Sequence, residues 1–127
     1  MKTILSIALA AGVVMASGAA LAQMAPAKSG DSAKGKVLTD SKGMTLYTFD
    51  KDSGGKSACT GGCATNWPPL MATGDAKAMD QYTVIARDDG SKQWAYKGKP
   101  LYTWKNDKKA GDVTGDGVNG VWHLATP

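Results

Sequence analysis

Three side chains could bind a soft metal or carry electrons: Cys59 and Cys63, with three residues between them, and His123, the only histidine. Thiolate sulfur with imidazole nitrogen is a ligand set suited to copper(I). The same spacing occurs in the Cys-x3-Cys pair of Sco-type copper chaperones, which are thioredoxin-like, whereas this chain does not alternate strands with helices. Met44, Met71 and Met79 could add thioethers, although isolated methionines are commonly core fillers. Covalent c-type haem is excluded, because it needs a two-residue spacer followed at once by histidine, and Ala64 follows Cys63. Structural zinc wants four Cys or His ligands, and the chain offers Cys59, Cys63 and His123.

In an oxidising compartment an even cysteine count favours a disulfide, and Gly61 and Gly62 allow a tight loop. A structural Cys59–Cys63 bond is therefore favoured over a catalytic couple, which usually has a two-residue spacer. No cofactor is expected, copper being the alternative. GDVTGDGVNG, residues 111–120, places Asp112, Asp116 and Gly117 at positions of a calcium loop, but Thr114 and His123 fall where further carboxylates belong. A surface turn is the favoured reading. No nucleophile elbow or paired-carboxylate pattern is visible, so no catalytic residue is assigned and no enzyme is expected.

The first 22 residues read as a secretory leader: Lys2, an apolar run to about Met15, then Ala20-Leu21-Ala22 as the cleavage pattern. Without it 127 − 22 = 105 residues remain, and 15 − 1 = 14 basic residues face 11 aspartates, a net charge of +3. The lysines are dispersed among aspartates, which argues against a nucleic-acid footprint. A periplasmic or secreted protein is expected, without a stable membrane anchor once cleaved.

What must position the cysteines is a repeat. At an offset of 55, GMTLYTFDKD (43–52) falls on GKPLYTWKND (98–107), and Trp67 falls on Trp122. Keeping two aromatic pairs in one register implies two copies of one supersecondary unit sharing a core. Each copy carries a Lys-Gly turn between short β-rich segments, 37–49 and 92–104, and further strands are expected at 82–87 and 121–125. Period two places Tyr47 and Phe49 on one face, as it does Tyr102 and Trp104. The expectation is an all-β domain over 35–127, a small barrel or sandwich of six to eight short antiparallel strands, from repeats at about 35–70 and 90–125. Residues 23–34 read as a disordered tail.

Tyr47-x-Phe49-x-x-Asp52 and Tyr102-x-Trp104-x-x-Asp107, with Cys59-x3-Cys63, Asn66-Trp67-Pro68-Pro69 and Gly120-Val121-Trp122, resemble the bacterial "secreted repeat of unknown function" family. Its members are described as predicted lipoproteins with a Tyr-x-aromatic-x-x-Asp motif, but this chain has no cysteine near the cut for lipid attachment. The resemblance implies export and assigns no activity. Trp67 and Trp122 are expected as core anchors, Asp52 and Asp107 as acceptors of backbone hydrogen bonds, and Trp94, without a repeat twin, as a candidate ligand face. The leading expectation is a non-enzymatic module binding an unknown periplasmic protein or small ligand. The alternative is a copper-handling or thiol-redox protein using Cys59, Cys63 and His123.

Overall fold

The computed structural model describes residues 25–127, so the expected leader and the first residues of the expected tail lie outside the described residues. In chain order the elements are β1 (Lys28–Ser32), β2 (Gly35–Thr39), β3 (Tyr47–Phe49), α1 (Gly62–Asn66), β4 (Met71–Ala72), β5 (Tyr82–Ala86), β6 (Lys92–Tyr96), β7 (Lys99–Pro100) and β8 (Trp122–Leu124), with a 3-10 turn at Val118–Gly120 before β8. They form small antiparallel sheets: β1 with β2, β3 with β8, and β4-β6-β5 with β7 also on β6. No closed barrel forms among the described residues.

Two expectations are corrected at the start of the domain. Lys28–Ser32 is not a disordered tail: it is β1, paired with β2 from Lys28↔Thr39 to Ser32↔Gly35. Its KSGDS sequence has no apolar alternation to reveal a strand, and backbone hydrogen bonds to β2 hold it in place. Each repeat therefore begins before residues 35 and 90, with β1 in the first copy and β5 in the second.

The turns show how one sequence unit tolerates two geometries. In the second copy Lys97 (φ 51°) and Gly98 (φ 84°) both adopt left-handed backbone, joining β6 to β7 through a two-residue hairpin in which Tyr96 faces Lys99. That turn suits the twist of its strands and needs residues tolerant of positive φ, a role glycine fills most readily. In the first copy Asp40 closes a longer turn, its carboxylate accepting from the Lys42 and Met44 amides, each at 2.9 Å. The Leu46 amide donates to Leu38 and the Leu101 amide to Trp94. Leu38 thus corresponds to Trp94 at an offset of 56, one more than the 55 that relates Leu46 to Leu101.

The copies exchange their ends. Tyr47 and Tyr102 pair with each other, amide to carbonyl at 2.7 and 3.0 Å, on the pseudo-twofold axis. The closing segment of each copy lies beside the middle strand of the other. In β3·β8, Phe49 faces Trp122 and Tyr47 faces Leu124. In the equivalent place Pro69 bridges Tyr102, the Thr103 amide donates to the Pro68 carbonyl, and the Leu70 amide donates to the Leu101 carbonyl. Trp67-Pro68-Pro69 thus runs alongside the middle strand of the other copy. Pro68 and Pro69 have no N–H to give, so the ladder there is incomplete.

Period two sorts the core into two halves. On one side Leu38, Leu46, Leu101, Trp94, Tyr82 and Ala125 pack together. On the other Tyr47, Tyr102, Trp67, Trp122 and Cys59 form an aromatic half flanked by Phe49 and Trp104. Trp94 is consequently corrected from a ligand face to a core residue, 7% exposed, the larger counterpart of Leu38.

Candidate aromatic site with reciprocal Tyr–Asp pairs

The residues of the duplicated motif converge on the aromatic half. Four rings stack in the order Phe49, Trp122, Trp67, Trp104, with successive centroids 4.2, 3.7 and 3.9 Å apart. The pseudo-twofold passes between Trp122 and Trp67, whose planes differ by 4°. Tyr47 meets Trp67 edge-on at 5.4 Å and Tyr102 meets Trp122 edge-on at 5.2 Å. Ring pairs of this kind each contribute about 0.5–1.5 kcal/mol beyond the area they bury. Trp67 and Trp122 are both buried.

Each tyrosine hydroxyl ends on the aspartate of the other copy. Tyr47 donates to Asp107 Oδ2 at 2.6 Å, and Tyr102 donates to Asp52 Oδ2 at 2.7 Å. The remaining carboxylate oxygens organise the loops that follow. Asp52 Oδ1 accepts from the Ala58 amide at 2.6 Å, and Asp107 Oδ1 accepts from the Thr114 amide at 2.9 Å and its hydroxyl at 2.7 Å. The Tyr-x-aromatic-x-x-Asp spacing thereby acquires a physical reason: tyrosine and aromatic share a strand face, and the aspartate follows the strand where it can reach across the axis. Burial, with the neighbouring Asp107, pushes the Tyr47 hydroxyl well above its ordinary pKa; burial does the same to Tyr102. Loss of water also raises the Asp52 carboxyl, opposed by hydrogen bonds from Ala58 and Tyr102.

One half of this arrangement has an unpaired elaboration. Arg87, the only arginine of the chain, is buried and donates to Ser57 Oγ at 2.9 Å, Gln93 Oε1 at 2.8 Å and the Cys59 carbonyl at 2.6 Å. Ser57 in turn lies 2.6 Å from the Tyr102 hydroxyl, and Gln93 donates to the Leu101 carbonyl at 2.7 Å. Sequence reasoning passed over Ser57, Arg87 and Gln93. The available signal was a lone arginine among fourteen lysines, since a planar guanidinium can satisfy several fixed acceptors at once.

Cys59 and Cys63 are joined by a disulfide, their Cα atoms 5.2 Å apart. Cys63 lies in α1, and the corresponding stretch of the second copy makes the 3-10 turn at Val118–Gly120. His123 is elsewhere engaged, Nε2 lying 2.8 Å from Asp50 Oδ2 on the exposed side of β8. The alternative copper set is therefore not assembled: among the described residues no group of three His, Cys, Asp or Glu side chains is arranged to hold a metal ion. Asp112 and Asp116 also part company. Asp112 accepts from the Lys108 and Lys109 amides, while Asp116 pairs with Lys34 at 2.9 Å, as befits a surface turn.

Beside the disulfide a groove of about 430 Å³ is bordered by Phe49, Trp122 and Trp67, with Lys51, Asn66 and Asn119 supplying polar groups. Gly115 lies against the stack, where a Cβ would fall 2.8 Å from Trp67 Cη2 and 3.0 Å from Trp104 Cγ. Within the stack, the end rings Phe49 and Trp104 are half-buried, whereas Trp67 and Trp122 between them are buried.

Comparison with curated proteins and with solved structures gives no match. The family model for a secreted repeat of unknown function matches twice, over residues 28–71 and 83–126, the same 55-residue offset that relates Tyr47 to Tyr102 and with each copy beginning at its first strand. Through both copies, the chain belongs to that secreted repeat family.

Proposed function

We propose that the domain is a non-enzymatic binding module of the periplasm, and that it holds a small ligand with one flat apolar face and hydrogen-bonding groups around its edge. The observation that carries this reading is the groove beside the half-buried Phe49, where its ring, backed by the buried Trp122, meets Lys51, Asn66 and Asn119. Small-molecule sites combine apolar walls with a few polar groups that fix orientation, and this volume falls within their usual range. The groups with the chemistry for catalysis are committed otherwise: Asp52 and Asp107 hold tyrosines and loop amides, and His123 faces Asp50. Family membership supports export and leaves the ligand open.

Titration of the isotope-labelled mature domain with a panel of saccharides and planar aromatic compounds, followed by NMR, tests the proposal. A ligand of the expected shape should shift resonances of Phe49, Lys51, Asn66 and Asn119, and Phe49→Ala should weaken it at least several-fold. Binding that leaves those residues undisturbed, or turnover of any panel member, would overturn the assignment.

A further inference from the structure

Trp104, Trp67 and Trp122 lie face to face with centroids 3.9 and 3.7 Å apart, which brings three oxidisable indoles into van der Waals contact. Trp104 is half-buried at one end of the row, whereas Trp67 and Trp122 are buried. Each buried indole meets a tyrosine ring in perpendicular contact, and each of those phenols already points its proton at a carboxylate, at 2.6 and 2.7 Å. Core packing requires apolar volume; it does not require a carboxylate at the end of each phenol, since phenylalanine would fill the same space without burying a polar pair.

We propose that the domain is a one-electron relay, in which the indole row accepts an electron hole at Trp104 and passes it to Tyr47 or Tyr102, whose phenolic proton moves to Asp107 or Asp52. The oxidant is a diffusible inorganic radical of the kind an exported protein meets. It gains one electron and Trp104 becomes an indole radical cation. The hole moves through Trp67 and Trp122 by electron exchange between touching rings. One electron then leaves the phenol as its O–H bond breaks and a carboxylic O–H bond forms. The products are a neutral tyrosyl radical, a protonated aspartate and three restored indoles. An electron from an enediol or thiolate reductant, with return of the proton from carboxyl to phenolate oxygen, restores the resting state.

The ground state suits this sequence. An oxidised phenol is a strong acid, and the bonded carboxylate provides a base without waiting for water. In the resting protein the raised phenol pKa values keep both protons in place, so proton transfer awaits electron loss. The inference is independent of the ligand groove, since it uses the interior faces of the stack.

Flash oxidation of the mature protein with a photogenerated ruthenium(III) polypyridyl complex, read by transient absorption and electron spin resonance, tests the relay. The wild type should form an indole radical that decays into a tyrosyl radical, several-fold more slowly in deuterium oxide. Tyr47→Phe with Tyr102→Phe should reduce the tyrosyl yield several-fold and prolong the indole radical, while Tyr82→Phe with Tyr96→Phe should change neither. If the first pair fails to fold, Asp52→Asn and Asp107→Asn made singly should each diminish the isotope-sensitive decay. A tyrosyl signal carried by Tyr82 and Tyr96, an indole decay insensitive to deuterium, or no indole radical at all would overturn the proposal.

Discussion

The Tyr47 hydroxyl donates to Asp107 across the pseudo-twofold axis at 2.6 Å, so that the tyrosine of one repeat is completed by the aspartate of the other. The duplicated motif consequently cannot be satisfied within a single copy, which explains why two units make one core. A double-mutant cycle of Tyr47→Phe and Asp107→Asn should return a coupling of about 1.5–3 kcal/mol, the range for a buried hydrogen bond to a charged group. Chemical denaturation of the four proteins measures it, and additive losses would show the two side chains to be energetically independent.

Alkali should unfold the domain rather than titrate these phenols in place. Both folded-state pKa values lie above the ordinary 10.0, so the folded protein holds protons that the unfolded chain releases. The associated stability is fully present below pH 10 and is lost as pH rises through the folded values. Phenolate absorbance from Tyr47 and Tyr102 should therefore appear together with loss of tryptophan near-ultraviolet dichroism. Ionisation of all four tyrosines before any unfolding would contradict the buried pairs.

Gly115 should tolerate a methyl group poorly. Its Cβ position overlaps Trp67 and Trp104, and its amide also donates to the Tyr47 hydroxyl at 3.2 Å. Gly115→Ala should destabilise by about 1–3 kcal/mol, the usual penalty for overfilling a packed site. Gly74→Ala, with open space around its Cβ, should stay within about 0.5 kcal/mol of wild type. Equal effects at the two positions would show that the ring stack yields freely.

Much of this fold was legible because Tyr47, Phe49 and Trp67 recur as Tyr102, Trp104 and Trp122, and alternation puts the strand aromatics on one face. What alternation could not reveal was the partner of each strand: period two is the same whether β3 pairs within its own repeat or with β8. Strand β1 was invisible because its side chains are polar and its order comes from backbone bonds. Trp94 seemed to lack a twin only because the first hairpin turn is one residue longer, which hides Leu38 at a different offset. The Cys59–Cys63 bond followed from compartment and spacing, whereas the role of Arg87 did not, since two of its acceptors, Ser57 and the Cys59 carbonyl, lie 30 and 28 residues away along the chain and the third is Gln93 on β6.

Arg87→Met should be among the most damaging single changes outside the ring stack. It preserves apolar bulk but removes the donor shared by Ser57, Gln93 and the Cys59 carbonyl. A loss of about 3 kcal/mol is expected from leaving buried acceptors unmet. Adding Gln93→Leu should recover part of it by removing one of those acceptors. Thermal denaturation of the two variants provides the comparison, and a neutral Arg87→Met would show that water replaces the guanidinium.

The disulfide and Arg87 act on the same loop from opposite states of the chain. Closing Cys59 to Cys63, four residues apart, restricts the unfolded ensemble by about 2 kcal/mol in the loop-entropy model. Arg87 instead holds the folded loop through the Cys59 carbonyl, so the chain retains an anchor there when the covalent bond is removed. Cys59→Ser with Cys63→Ser should therefore lower stability by about 2 kcal/mol while the tryptophan dichroism of the stack persists. Combined with Arg87→Met, the same pair should abolish that signal, because neither the unfolded chain nor the folded loop is then restrained. Native protein should resist thiol labelling until reduced. Ready labelling without reductant, or collapse of the stack in the double serine variant alone, would show that the loop is held differently.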